Sequence, residues 1–318
     1  MPAVPPGALP PSPPGALPRC LTGLAELAPA YRAFLVDQWG VVHDGHRLHP
    51  GAIDCLRRLR AHGPVVLISN TSRAQDEAAA ALRRLGVPDD AWDAQLTSGE
   101  LALRWLEAAH ARGLRRALCL PAPSEPDAVL CRAPTAEVFD VEAADLLVGT
   151  GISDGPADAW DPVLARARAR GLPLLLTNPD LVSVRPDGGF HLCPGTYGAR
   201  YAALGGEVIR LGKPEAPLYA EALRLAFGAA PGGRPGPALA IGDSLHHDLA
   251  GARGAGLDAV LITRGVHGAE LDAPPGADPS PASVAALAAR EGETVQFYLG
   301  SLRSAPEGAR GSTTSTPP

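Results

Sequence analysis

Residues 35–45 read LVDQWGVVHDG, an apolar run that stops at one carboxylate, Asp37, and then turns on Gly40. The run begins two residues earlier, and AFLVD (33–37) shows no alternation of apolar and polar positions. Such a segment suits a strand buried on both faces, as in a parallel sheet. Five more are built alike: PVVLISN (64–70), DLLVGT (145–150), PLLLTN (173–178), ALAIGD (238–243) and AVLITR (259–264). Between them lie helix-like segments at 52–62, 72–85, 99–112, 156–170, 214–227 and 248–254. That alternation predicts an α/β fold with right-handed crossovers around a parallel sheet.

Ligands of open α/β sheets collect beyond the carboxyl ends of the strands. Asp37, Ser69 and Asp243 all stand at such ends. One βα unit separates Asp37 from Ser69, but Lys213 follows only after more than a hundred residues. The stretch 93–194 carries its own strand and helix signals. It is expected to be a second α/β module inserted into a core made of residues 21–92 and 195–292.

The 318 residues are 46% hydrophobic and 19% charged, with a net charge of −6. That balance, with no dense Lys/Arg run, argues against nucleic acid or an anionic membrane as partner. No run of 18 apolar residues occurs, so no spanning helix is expected. Five cysteines (Cys20, Cys55, Cys119, Cys131, Cys193) lack any C-x-x-C or zinc spacing, which favours a reducing compartment and a cytoplasmic protein. The hexamer PPGALP occurs at 5–10 and again at 13–18. Proline at that density forbids the helical centre of a signal peptide, so residues 1–20 read as a disordered, polyproline-like lead. Residues 303–318, rich in Ser, Thr, Pro and Gly, read as a disordered tail.

Four motifs carry the candidate chemistry. Asp37 ends an apolar strand, where a carboxylate has no packing reason to be; a turn or cap aspartate is the other reading. Ser69, with Asn70, Thr71 and Ser72 opening a helix, offers hydroxyls and N–H groups for a phosphate, or simply a helix cap. Lys213 precedes a proline, which holds its ammonium near a turn. AIGDSLHHDLAG places Asp243 at a strand end and Asp248 five residues on. Two carboxylates so spaced suit a hard divalent ion such as Mg²⁺.

The ordered set resembles the haloacid dehalogenase (HAD) superfamily: a strand-end Asp, a strand-end Ser/Thr, a Lys and G-D-x-x-x-x-D. Further matches resemble its class IIA branch of sugar- and nitrophenyl-phosphatase-like members. They are Gly45 with Pro50, Gly51 and Ala52, then TSGE (97–100), TNPD (177–180) and GKP (212–214). The likeness runs from about Leu21 to Glu291. It implies a Rossmann-like core and a C2-type α/β cap formed by the insert. It implies a Mg²⁺-dependent phosphatase in which Asp37 is the nucleophile that becomes an aspartyl-phosphate. Ser69 and Lys213 would then hold the phosphoryl oxygens. Asp37, Asp243 and the main-chain carbonyl of Trp39 would bind Mg²⁺, with Asp248 in support. Substrate would be a small phosphorylated metabolite, contacted also by Asn70 and, from the cap, Asn178 and Asp180. A turn built on Asn-Pro is the other reading of the last two. A homo-oligomer through the cap stays open.

One position departs from the pattern. The residue two after the nucleophile, usually an Asp that protonates the leaving oxygen, is Trp39. General acid–base help of that kind is worth about 10²–10⁴-fold, and indole cannot supply it. Slow turnover, or another acid, is therefore expected. His43, His46, His49, His246, His247 and Asp44 are the candidates, each readable also as a surface or capping residue. Trp39 itself reads either as an aromatic plug that excludes water or as a surface on which a substrate ring stacks. The alternative to a phosphatase is a weakly catalytic regulatory protein that keeps the phosphate and metal pocket.

Overall fold

The computed structural model describes residues 15–121, 128–184, 189–228, 236–271, 273 and 277–305. In chain order the strands are β1 (Arg19–Cys20), β2 (Ala33–Asp37), β3 (Val65–Ser69), β4 (Ala94–Thr97), β5 (Arg116–Leu120), β6 (Ala136–Val138) and β7 (Leu146–Gly149). They continue as β8 (Leu174–Leu176), β9 (Val182–Val184), β10 (Phe190–Leu192), β11 (Val208–Arg210), β12 (Ala238–Gly242), β13 (Asp258–Ile262) and β14 (Phe297–Leu299). Among the described residues the larger sheet has seven strands in the order β1-β14-β13-β12-β2-β3-β4, and a second has five, β11-β8-β7-β5-β6. This is the α/β architecture that the apolar runs predict, with the Rossmann-like sheet that the family resemblance implies.

The chain divides into two compact units. One comprises Met1–Leu67, Leu85–Ala94 and Leu223–Pro318; the other comprises Ile68–Arg84 and Gln95–Ala222. In the first, β2 pairs with β12, β12 with β13, β13 with β14 and β14 with β1, all in parallel. Val36 stands opposite Ile241, so the next residues, Asp37 and Gly242, leave the sheet side by side. All five residues of β2 and of β12 are buried, which explains their unbroken apolar sequence. Beyond β13 and β14, Leu261 and Tyr298 share a core with Leu245, Leu249, Val284 and Leu287.

The second unit is covered on both faces of its sheet. Leu118, Leu120, Leu147, Leu174 and Leu176 face one core, shared with Leu164 and Tyr201. Ala117, Cys119, Leu146, Val148 and Leu175 face the other, shared with Leu103, Leu106 and Val129. Successive residues thus point to opposite sides and both sides are dry, the arrangement that runs such as LLV (146–148) and LLL (174–176) require. Strand β5 reads RALCL directly behind Arg115, and these leading arginines hid it from a reading based on apolar runs. The unit's last strand, β11, and the helix Pro194–Ala203 lie past residue 194, where the insert was expected to end.

Both expected tails are shorter at their inner ends. Arg19–Cys20 form a parallel strand against Phe297–Tyr298, because their backbone finds partners at the sheet edge. Arg303 pairs with Asp278, and Ser304 accepts a hydrogen bond from Ala25 N–H through its carbonyl at 2.9 Å. The remainder of the expected lead (1–14) and tail (306–318) lies outside the described residues. No helix among the described residues is long and apolar enough to cross a membrane.

Leu147 is fully buried in the middle of the second sheet. Leu147→Ala is expected to lower stability by about 2–5 kcal/mol in urea denaturation, the usual cost of such a cavity.

Candidate active site

In the first unit the adjacent strand ends bring three buried carboxylates together. Asp37, Asp243 and Asp248 each place an oxygen within 4.8 Å of the others, and each is at most 5% exposed. Asp37 and Asp243 arrive there because β2 and β12 run in parallel and terminate at the same edge. Asp248 arrives by a wide helical turn, Leu245–Leu249, in which Leu249 N–H reaches back to Ser244 C=O at 3.1 Å. The Ser244 hydroxyl caps that turn by accepting from His247 N–H at 3.2 Å, and Ser244 N–H donates to Asp248 Oδ2 at 3.1 Å.

Three glycines make room for these carboxylates. A Cβ at Gly40 would lie 1.9 Å from Asp243 Oδ2, and one at Gly265 would lie 2.0 Å from the same oxygen. A Cβ at Gly242 would lie 2.0 Å from Asp248 Cγ. Gly40 also adopts φ +75°, which L side chains rarely take. The adjoining Val266 N–H donates to Asp243 Oδ2 at 2.8 Å. Gly265 and Val266, in the loop after β13, escaped the sequence reading, although a glycine just past an apolar strand end was the signal. His267 follows them, buried, with Nε2 accepting from Leu245 N–H at 3.4 Å and Nδ1 2.9 Å from Glu270 Oε1. That second bond holds the Glu270 carboxyl below the usual carboxylate range.

The donor set fits a hard divalent cation. Carboxylate oxygens are the ligands that Mg²⁺ and Ca²⁺ take, and three buried anions this close repel one another unless a cation intervenes. Asp37, Asp243 and Asp248 are the residues that would hold it.

The second unit gathers a different group. The Asn70 side chain, buried, donates from Nδ2 to Asp180 Oδ1 at 2.7 Å and to Lys213 C=O at 3.1 Å. Its Oδ1 accepts from Lys213 N–H at 2.7 Å. One amide therefore fixes the Lys213 main chain from both sides and ties it to Asp180. Gly212 is required beside it, since a Cβ there would meet Asn70 Oδ1 at 2.5 Å. Asn178 contributes indirectly, its Oδ1 accepting from Asp180 N–H at 2.8 Å in the Asn-Pro turn. Ser69 is half-buried at the end of β3, with Oγ accepting from Thr71 N–H at 3.3 Å.

The TSGE segment fastens this loop. Thr97 caps the helix Ser98–Ala111 by accepting from Glu100 N–H at 3.0 Å, and its hydroxyl donates to Arg73 C=O at 2.7 Å. Ser98, fully buried, directs its hydroxyl at the carbonyls of Asn70 (2.8 Å), Thr71 (3.1 Å) and Thr177. Gly99 lies so close that a Cβ would be 2.2 Å from Ser72 C=O oxygen.

The six candidate acids separate by their partners. Asp44 Oδ1 accepts from the backbone amides of His46 (2.8 Å) and Arg47 (2.7 Å), which hold its carboxyl below the ordinary range and keep it ionised. Burial keeps the His49 imidazole below its usual pKa, with Asp44 opposing, and His246 Nε2 is engaged 2.8 Å from Glu291 Oε2. His247 is half-buried in the turn that carries Asp248, and His46 is exposed. His43 is buried, accepts at Nδ1 from Gly45 N–H at 3.0 Å and stands edge-on to Trp39.

This strand-end carboxylate cluster on a Rossmann-like sheet defines a class that comparison with known proteins narrows. A family model described as haloacid dehalogenase-like hydrolase matches residues 34–126, and a second, HAD-hydrolase-like, matches residues 210–287. The crystal structure of a haloacid dehalogenase-like hydrolase from Brucella suis 1330 is 30% identical with a TM-score of 0.71. The match covers 89% of this chain and 99% of that one. The D-glycerol 3-phosphate phosphatase of Mycobacterium tuberculosis is 28% identical over 252 residues, 77% of this chain and 67% of that protein. Structures of a glycerol phosphate phosphatase from that organism, 26% identical with TM-scores of 0.57 and 0.54, are complexes with calcium and with magnesium. They match 75% and 74% of this chain and 68% of their own. A p-nitrophenyl phosphatase from Archaeoglobus fulgidus, 22% identical with a TM-score of 0.63, shares the fold over 85% of this chain and 96% of its own. The chain belongs to the haloacid dehalogenase-like hydrolase family.

Gly40→Ala places a methyl group on the Asp243 carboxylate and is expected to weaken Mg²⁺ binding by about 10–100-fold, as disturbed ligand orientation does. Isothermal titration with Mg²⁺ reads this directly, and unchanged affinity would exclude Asp243 from the cation site.

Proposed function

We propose that the protein is a divalent-cation-dependent phosphatase that hydrolyses a small phosphomonoester through Asp37. The carrying observation is the buried Asp37–Asp243–Asp248 cluster, whose oxygens suit a hard cation. Phosphatases among the relatives, one of them crystallised with magnesium and with calcium, support the same activity and cation class. Mg²⁺ is the cation proposed. When bound, it would supply charge stabilisation to the phosphoryl oxygens.

The chain's own residues do the rest. A phosphomonoester dianion repels an anionic nucleophile, so attack requires positive charge and hydrogen-bond donors around the phosphoryl group. Asp37 attacks phosphorus and becomes an aspartyl-phosphate, which water then hydrolyses. Ser69 donates its hydroxyl to a phosphoryl oxygen, and Lys213 neutralises charge with its ammonium. Asn70 serves as a positioning residue, since it grips the Lys213 main chain. Asp37, Asp243 and the Trp39 main-chain carbonyl would hold the cation, with Asp248 in support. Asp180 and Asn178 contribute from the five-stranded-sheet module, which we assign as a C2-type cap occupying the insert. None of the five cysteines is joined in a disulfide, in keeping with a reducing, cytoplasmic setting.

The missing carboxylate at Trp39 limits departure of a strongly basic leaving oxygen. His43, whose Nδ1 accepts from Gly45 N–H and so leaves the proton on Nε2, is one donor among the six.

Purified protein with Mg²⁺ is expected to release phosphate from a panel of phosphometabolites. Asp37→Asn or EDTA should reduce that release to background; equal rates in wild type and Asp37→Asn would remove the proposal. Trp39→Asp should raise the rate on an alkyl phosphate by at least about tenfold, within the range typical of general acid catalysis.

A further inference from the structure

Large apolar side chains exposed singly on a protein surface need no explanation. Two of them beside one carboxylate cluster do. Trp39 is 55% exposed and Val266 is 56% exposed. The backbones that carry them adjoin Asp243: the Val266 N–H binds its Oδ2 at 2.8 Å, and a Cβ on Gly40, the residue after Trp39, would touch the same oxygen.

The indole is braced. A Cβ at Gly45 would lie 2.2 Å from Trp39 Cη2 and 2.4 Å from Cζ3, so the six-membered ring rests against a residue that must be glycine. Gly45 has φ +90°, a second reason for glycine there. The His43 ring meets the indole edge-on, with centroids 5.8 Å apart and planes at 77°, and is itself fixed by Gly45 N–H. The loop closes through Gly40 N–H to His43 C=O at 2.8 Å. An exposed aromatic held this way presents a rigid face at little entropic cost.

We propose that Trp39 is the specificity-determining residue of the site, forming with Val266 an apolar platform that takes the ring of an aryl phosphate. The inference rests on the phosphatase reading above and names its substrate class. Two independent demands converge on that class. The platform offers a π-face and an aliphatic branch, suited to a flat apolar group. Residue 39 also supplies no proton, and a phenol-type oxygen (pKa about 10, as in tyrosine) needs far less help to leave than an alkoxide. In the step, Asp37 Oδ forms a bond to phosphorus as the P–O(aryl) bond breaks. The electron pair departs with the aryloxide, which takes its proton from water.

The test compares kcat/KM for 1-naphthyl phosphate and phenyl phosphate with that for glycerol phosphate and glucose 6-phosphate, in wild type, Trp39→Ala, Trp39→Phe and Gly45→Ala. Wild type is expected to prefer naphthyl over phenyl over both alkyl esters. Trp39→Ala should cut the aryl-to-alkyl ratio about tenfold or more, mainly through KM, whereas Trp39→Phe keeps most of it. Gly45→Ala, which displaces the indole without touching substrate, should lower the ratio as Trp39→Ala does. A ratio unchanged in Trp39→Ala, or a loss confined to glucose 6-phosphate, overturns the platform. A wild type that releases no phosphate from any ester overturns the phosphatase reading instead. The platform is then decided by calorimetry on the Asp37→Asn protein. Naphthylmethyl phosphonate should bind more tightly than methyl phosphonate, and Trp39→Ala in that background should erase the difference.

Discussion

Parallel pairing of β2 with β12 is the constraint on which the rest of the site depends. Neighbouring parallel strands end at one edge of a sheet, so the Val36–Ile241 register leaves Asp37 and Gly242-Asp243 side by side. Two anions delivered to one place by the backbone must be screened by dipoles, by donors or by a cation. The structure shows the first two in Val266 N–H on Asp243 and Ser244 N–H on Asp248. The close approach also dictates composition nearby, because Gly40, Gly242 and Gly265 all lie where a Cβ would strike a carboxylate.

The second unit solves a different problem with one buried amide. Lys213 is nearly inaccessible, and its main chain is held by Asn70 from donor and acceptor sides together. Asn70 is fixed in turn because Ser98 binds its carbonyl oxygen, and Ser98 opens the helix that Thr97 caps. The buried side chains of Asn70 and Ser98 both find hydrogen-bond partners, which is what makes such a network rigid. Loops that would otherwise be separate, at 69–73, 177–180 and 212–213, therefore act as one body.

Trp39 shows how a local substitution changes the chemistry available without disturbing the frame. The turn that carries it still closes through Gly40 and His43, and the indole finds support on Gly45. A side chain that titrates has been exchanged for one that offers area, so proton transfer from this position is exchanged for contact. The reading of Trp39 as a plug does not suit a ring more than half exposed.

By itself, the sequence determined the fold class and most of the polar residues that matter. Unbroken apolar runs such as AFLVD and ALAIG can be buried only on both faces, and a carboxylate ending such a run has no packing role. It did not determine β5, whose arginines mask it, nor β1 and the ends of the tails, whose order comes from partners at Tyr298, Asp278 and Ala25. Only the tertiary structure decided that Val266 and Gly265 line the carboxylate cluster, and that Asn70 grips Lys213 across 143 residues. The reason is physical: periodicity reports which face of an element is dry, whereas register and loop closure decide which distant groups share a place.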